Sequence, residues 1–229
     1  MTKSLLVLSL SLVLGACSNT PLSVDTTQQT KDGLSKVENG KMNMAYVKAG
    51  MDWSRFTKIY FAPVTVTNDH PEGYKAPRID TRADGLNATY DLDDKTLQEL
   101  ATAFNTVAKD VFDGEQPYQL VNSVDENTLI VEVAITDIRL SAPVESSRRS
   151  FQTAGGATYT QNSGSMMLLA QVKDGKDNTV IAKAADRGQT MDQWQQNTKV
   201  FNMGDVKTIY RSWINGFKNA LMQTHAANK

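Results

Sequence analysis

The chain has 229 residues, 24 Lys and Arg against 25 Asp and Glu, a formal net charge of −1 and a single cysteine. This balance excludes the basic footprint of a nucleic-acid-binding protein. One thiol excludes an internal disulfide framework, and the length allows one sizeable core.

The N-terminus carries Lys3 and an apolar run, Leu5 to Leu14, broken only by Ser9 and Ser11, before the small pair Gly15-Ala16. That is the layout of a secretory signal peptide, predicted over residues 1–16. A membrane-spanning helix needs about 20 apolar residues, so this run is too short to span. Leu14-Gly15-Ala16-Cys17 resembles a bacterial lipobox, in which Cys17 takes a diacylglyceryl group on sulfur and, after cleavage, a further acyl chain such as palmitate on its amine. One acyl chain holds a protein to a membrane only marginally, whereas three hold it for good. Ser18 follows the cysteine where Asp would signal inner-membrane retention, so the expected location is the outer membrane, facing the periplasm.

Residues 17–41 are polar, with scattered Ser, Thr, Gln and Asn, and are expected to form a lipidated, flexible tether that is dispensable for folding. Residues 42–229 are expected to form a single α+β domain. Its first strand is predicted over 58–67, with Tyr60, Ala62, Val64 and Val66 on one face and Ile59 and Phe61 on the other. Pro63 cannot donate a ladder hydrogen bond and suggests an edge or a bulge. A long irregular connection, 68–92, precedes the clearest helix, 93–113, whose stripe includes Leu97, Leu100, Phe104, Val107 and Val111. Asp93 and Asp94 suit its N-terminus, with Thr96 and Glu99 as an alternative capping box.

"YQLVN" is a short strand candidate, and "TLIVEVAITDIRL" (128–140) is the strongest one. Its apolar set moves from the odd positions Leu129 to Ile135 onto the even Ile138 and Leu140, which is what a β-bulge produces. A second polar loop spans 141–164. "SMMLLAQV" and "TVIAKAA" then read as a hairpin. A second helix is predicted from Gly204 to Gln223, with Asp205 as cap and Ile209, Tyr210, Trp213, Phe217 and Leu221 on its apolar face. These elements predict a two-layer sandwich. Its mixed, mostly antiparallel sheet has about five strands, with a parallel pairing where the first helix crosses over, and two amphipathic helices pack on it.

Several of these stretches resemble an uncharacterised bacterial lipoprotein family, domain of unknown function 3313. They are "AYVKAGMDWSRFTKIYFAPVTV", "YQLV", "LIVEVAITDI", "AQVKDGKDNTVIAKAADRG" and "MGDVKTIYRSWINGFKNAL". The family usually carries Asp-Ser-x-Thr-Gly in the hairpin turn, where this chain has Asp174-Gly175-Lys176-Asp177-Asn178. The resemblance implies an exported lipoprotein and transfers no catalytic residue.

No catalytic, cofactor or metal set emerges from the residues themselves. His70 and His225 lack partners at metal spacing and read as solvated. Asp91, Asp93 and Asp94 lack the glycine and distal glutamate of a calcium loop. Asp186-Arg187 reads as a local ion pair or a loop-fixing contact, Trp213 as core, and Trp194 as packed rather than exposed. The favoured reading is a non-enzymatic binding or scaffolding lipoprotein, held to the membrane by its lipid and partnered by an envelope protein. Arg148, Arg149, Phe151 and Tyr159 are its candidate partner surface, since Arg and aromatics are enriched at interface centres. An envelope hydrolase working with Asp and Glu on carbohydrate or lipid is the alternative, signalled by a deep cleft with two carboxylates. A third reading, an apolar ligand held inside the sandwich, requires a large pocket.

Overall fold

The structure, a computed structural model, describes residues 22–80, 88–114, 117–144 and 159–227. In chain order its elements are β1 (Ser23–Gln29), β2 (Ser35–Glu38), β3 (Met44–Val47), β4 (Lys58–Phe61), β5 (Thr65–Val66) and α1 (Asp94–Phe112). Then follow β6 (Gln119–Leu120), β7 (Thr128–Leu140), β8 (Tyr159–Thr160), β9 (Gly164–Asp174), β10 (Val180–Gln189), β11 (Gln195–Gln196) and α2 (Lys199–Ala227). No helix among the described residues is long and apolar enough to cross a membrane.

Nine strands form one open, mixed sheet in the order β1-β2-β3-β10-β9-β7-β4-β6, with β5 also on β7, while β8 and β11 pair separately. The sheet therefore exceeds the five strands expected. Two of the four additional strands, β1 and β2, come from the stretch expected to be a tether. There β1 pairs antiparallel with β2, and β2 with β3. A strand at a sheet edge gains its backbone hydrogen bonds from its neighbour and needs few apolar side chains, so a polar composition does not forbid it. The turn between β1 and β2 uses Gly33 at φ +79. It buries Leu34, which is 2% exposed.

The parallel pairing lies where expected: β4 runs parallel to both β7 and β6, and α1 makes the crossover. Pro63 splits the predicted strand into β4 and β5. Phe61 sits opposite Val131 and Thr65 opposite Ala134, so β4–β5 holds one residue more than β7 does. That bulge reverses the predicted faces beyond Pro63, and Val64 and Val66 join Phe61 against the core. The phase change in β7 is also a bulge. The pairing with β9 shifts between Thr136 and Arg139, and Asp137 adopts φ +47 there.

Asp93 caps α1, its carboxylate accepting from the Thr96 N–H at 2.8 Å. Leu100, Phe104, Val107, Ala108 and Val111 are buried in one core with Ile209, Tyr210, Trp213, Ile214 and Leu221 of α2 and with Val131, Val133 and Ile135 of the sheet. Both helices thus cover the same sheet face. α2 starts at Lys199, five residues earlier than predicted. Asp205 lies inside it and accepts from the Ser163 hydroxyl at 2.6 Å instead of capping. Gly204 disfavours a helix by only about 1 kcal/mol, which packing overrides. The β9–β10 hairpin forms as predicted. At its turn a Cβ on Gly175 would fall inside contact distance of the Asp125 and Thr128 carbonyl oxygens, so a bare backbone is required.

Candidate functional site: an apolar groove beside helix α2

The helices do not fill the space above the β1–β2–β3 end of the sheet. A groove of about 880 Å³ opens there. α2 forms one wall with Trp213, Phe217, Ala220 and Leu221, and the β1–β2 pair forms another with Val24 and Val37. The floor is Val47, Ala170, Ala182 and Ala184 of the central strands, and it deepens to Phe61 and Phe104 of the core. Small residues make the space. Ala45, Ala182 and Gly216 stand where larger side chains would close it. Among the described residues its charged side chains are all lysines, Lys41, Lys48 and Lys183, with no Asp or Glu in the lining. Lys183 contacts the Asp32 carboxylate. Lys41 and Lys48 make no salt bridge among the described residues. Leu22, the first described residue, lines the groove too, and its N–H donates to Gln223 Oε1 at 3.4 Å.

A second cluster lies at the β7 bulge. Asp137, 2% exposed, accepts from Arg139 Nε and Nη2, each at 2.9 Å, and from Arg187 Nη2. His70 Nδ1 lies 2.8 Å from Asp137 Oδ1. The His70 ring stacks on Tyr74 with centroids 4.0 Å apart, and the Arg139 guanidinium sits over the same Tyr74 ring. His70 is therefore a partnered, half-buried group and not the solvated loop histidine expected from sequence. Burial alone would push the Asp137 carboxyl up, but the hydrogen bonds from Arg139, His70 and Arg187 outweigh it and bring the group down to about 2. A carboxylate held ionised in this way cannot act as a general acid near neutral pH. Its role is to fasten the 68–75 connection to the sheet, which the Asp137 N–H also does by donating to the Asp69 carbonyl at 2.8 Å.

Of the two readings of Asp186-Arg187, the structure has the loop-fixing contacts and not an ion pair between the two residues. Arg187 serves Asp137, while Asp186 accepts from Trp213 Nε1 at 2.7 Å and from the Asn43 N–H at 2.9 Å. Trp213 is core, as expected. Trp194 is not packed: it is 75% exposed, with Met191 at 73% and Tyr159 at 59%. Gln196 of β11 pairs with Tyr159 of β8, and Trp194 directly precedes β11. Of the sequence-derived candidates, Cys17, Arg148, Arg149 and Phe151 lie outside the described residues. No group of three or more potential metal ligands occurs among the described residues.

The groove could not be read from the sequence, since its lining comes from eight separate stretches of the chain. Comparison with known proteins adds the family. A family model described as "Protein of unknown function (DUF3313)" matches residues 26–217. The chain belongs to that family. The match begins inside β1, so the family's domain includes the strands that composition had assigned to a tether. No curated protein matches the sequence. Among solved structures, the chain is similar to the PelC dodecamer from Paraburkholderia phytofirmans at 7% identity, covering 75% of this chain and 96% of that one with a TM-score of 0.37. It is similar to the hypothetical protein CT253 from Chlamydia trachomatis at 9% identity, covering 74% and 98% with a TM-score of 0.38. For protein XCC0632 from Xanthomonas campestris, of family-model DUF330, the figures are 9% identity, 76% and 90% coverage and a TM-score of 0.36.

Proposed function

We propose that this DUF3313 protein is a lipid-anchored component of the bacterial outer membrane, facing the periplasm, that binds an apolar ligand without transforming it. The single observation behind the binding half is the groove. At about 880 Å³ it falls within the roughly 300–1,000 Å³ of small-molecule sites, and its lining is mostly aliphatic and aromatic. The anchor half rests on the signal-peptide layout and on Cys17. The hydrolase alternative draws no support from this site: two carboxylates must flank a scissile bond, and none lines the groove among the described residues. Two experiments test the two halves separately. Labelled palmitate should be incorporated by the native protein and not by a Cys17→Ser variant. A neutral apolar fluorophore such as N-phenyl-1-naphthylamine should bind the folded protein saturably with one site per chain. Incorporation by the variant ends the anchor reading, and absence of saturable binding ends the groove reading.

A partner surface is a second reading with its own observation, the exposure of Met191, Tyr159 and Trp194 together. Contiguous exposed apolar groups mark interaction sites. Arg148, Arg149 and Phe151 precede Tyr159 closely in the sequence. A crosslink from intact envelopes that is lost on Trp194→Ser and on Arg148→Ala with Arg149→Ala would establish this surface; survival of every crosslink would dismiss it.

A further inference from the structure

We propose that the groove takes the acyl chain of an anionic single-chain lipid, drawn from the membrane that holds Cys17. This rests on the reading of the groove as a binding site and of Cys17 as the anchor.

Three observations converge on that occupant. The first is shape and lining. The groove runs from the open β1–β3 end down to Phe61 and Phe104, which suits a chain whose methyl end enters the core and whose head remains outside. The second is charge. Every charged side chain in the lining is a lysine, and Lys41 and Lys48 are free of salt bridges among the described residues, so an anionic head group is matched and a cationic one is opposed. The third is where the chain leaves the domain. Leu22 lines the groove, and Cys17 precedes it by five residues, which span at most about 18 Å. A lipid on Cys17 therefore holds the groove within that distance of the bilayer surface.

Those constraints select a single-chain lipid. One acyl chain is retained by a membrane only marginally and reversibly, whereas several linked chains are retained durably. Single-chain lipids are thus the membrane components that an adjacent apolar groove can extract. The acyl chains on Cys17 itself act together and stay in the bilayer.

The test uses the full-length lipidated protein in phosphatidylcholine vesicles and the unlipidated Cys17→Ser chain in solution, with the fluorescent fatty acid cis-parinarate as probe and saturated fatty acids as competitors. Both forms should bind one parinarate per chain. Competitor affinity should rise about fourfold per added methylene, the equivalent of the burial of one CH₂, until the groove is full. Fatty acids should compete better than their methyl esters, and Lys41→Ala with Lys48→Ala should abolish that preference. Gly216→Phe should weaken binding by about tenfold or more through occlusion. A Cβ at that position meets only Met42 Cε, at 3.8 Å, and replacing a helical glycine favours the helix, so the melting temperature should hold or rise. Ala220→Leu, on the same wall, is the second occluding variant should the first not fold.

Four results overturn the proposal. Binding of the neutral fluorophore without binding of fatty acid leaves the groove a binding site for another class of ligand. Loss of both ends the groove reading as well. Equal affinity for acid and ester removes the anionic head group. Binding by Cys17→Ser but not by the lipidated protein assigns the groove to the protein's own acyl chains.

Discussion

Replacing Asp137 with Asn should remove a stabilising contribution that depends on acid in a calculable way. In the folded protein this carboxyl sits near pKa 2, against an ordinary value of 3.8. A folded-state pKa below the unfolded one means that the ionised form is favoured by folding. The contribution is fully present above the unfolded value and disappears as pH falls through 3.8 towards 2. The difference amounts to about 2 kcal/mol. Discounting for solvent is small for Asp137, which is buried, but Arg139 and Arg187 keep part of their surface in water. The cost of Asp137→Asn at pH 7 should therefore lie below the 3–5 kcal/mol typical of breaking a fully buried pair, at about 2–3 kcal/mol. Urea unfolding of native and variant chains at pH 7, 4, 3 and 2 measures the gap directly. Carboxylates elsewhere contribute equally to both proteins and cancel. The gap should shrink by about 2 kcal/mol between pH 4 and pH 2. A gap that stays constant over that range would refute the argument, since Asp137 would then contribute packing and not charge.

Phe104→Ala should cost about 3–5 kcal/mol in the same assay, because the ring is buried against Phe61 and Tyr210 and large cavities relax little; a loss below about 1 kcal/mol would place the residue off the core. A chain beginning at Met42 should melt about 5–10 °C below the native one, since losing the burial of Leu34 alone removes about 2 kcal/mol and exposes the β3 edge; an unchanged melting temperature would restore the tether. Gly175→Ala should destabilise by about 1–3 kcal/mol, as the new Cβ must displace backbone carbonyls and not a flexible side chain; a neutral result would show that the turn rearranges freely.

What could be read from the sequence was what depends on near neighbours along the chain. The stripe of α1 and its Asp93 cap follow from residues a turn apart, and the bulge at Asp137 from alternation within β7. Pro63 announced a break, although not that one extra residue would move Val64 and Val66 across the sheet. What could not be read depends on distant partners. His70 has the composition of a loop histidine, and only the fold brings Asp137, 67 residues away, against it. Tryptophan is usually buried, and nothing local to Trp194 tells a usual tryptophan from an exposed one. The groove has no sequence signature, because it is made by the smallness of Ala45, Ala182 and Gly216 on elements far apart. The β1–β2 pair did leave a signal: Asp32-Gly33 is a favoured hairpin dipeptide, and it stands between two segments whose valines, Val24 and Val37, lie directly opposite each other in the pair.

The correction of that stretch changes what the anchor can do. As a flexible tether, residues 18–41 would let the domain wander, with a root-mean-square reach of about 27 Å and an extended reach of about 80 Å. Such a leash suits a scaffold that seeks partners away from the membrane. With β1 and β2 paired into the sheet, Leu22 lies only five residues beyond Cys17, and the reach falls to about 18 Å. The same pairing builds the wall of the groove with Val24 and Val37. Anchor length and groove are therefore set by one structural event, the docking of β2 on β3. If Cys17 carries the proposed lipid, that geometry would confine the groove to the membrane surface, where single-chain lipids are encountered and distant partners are not.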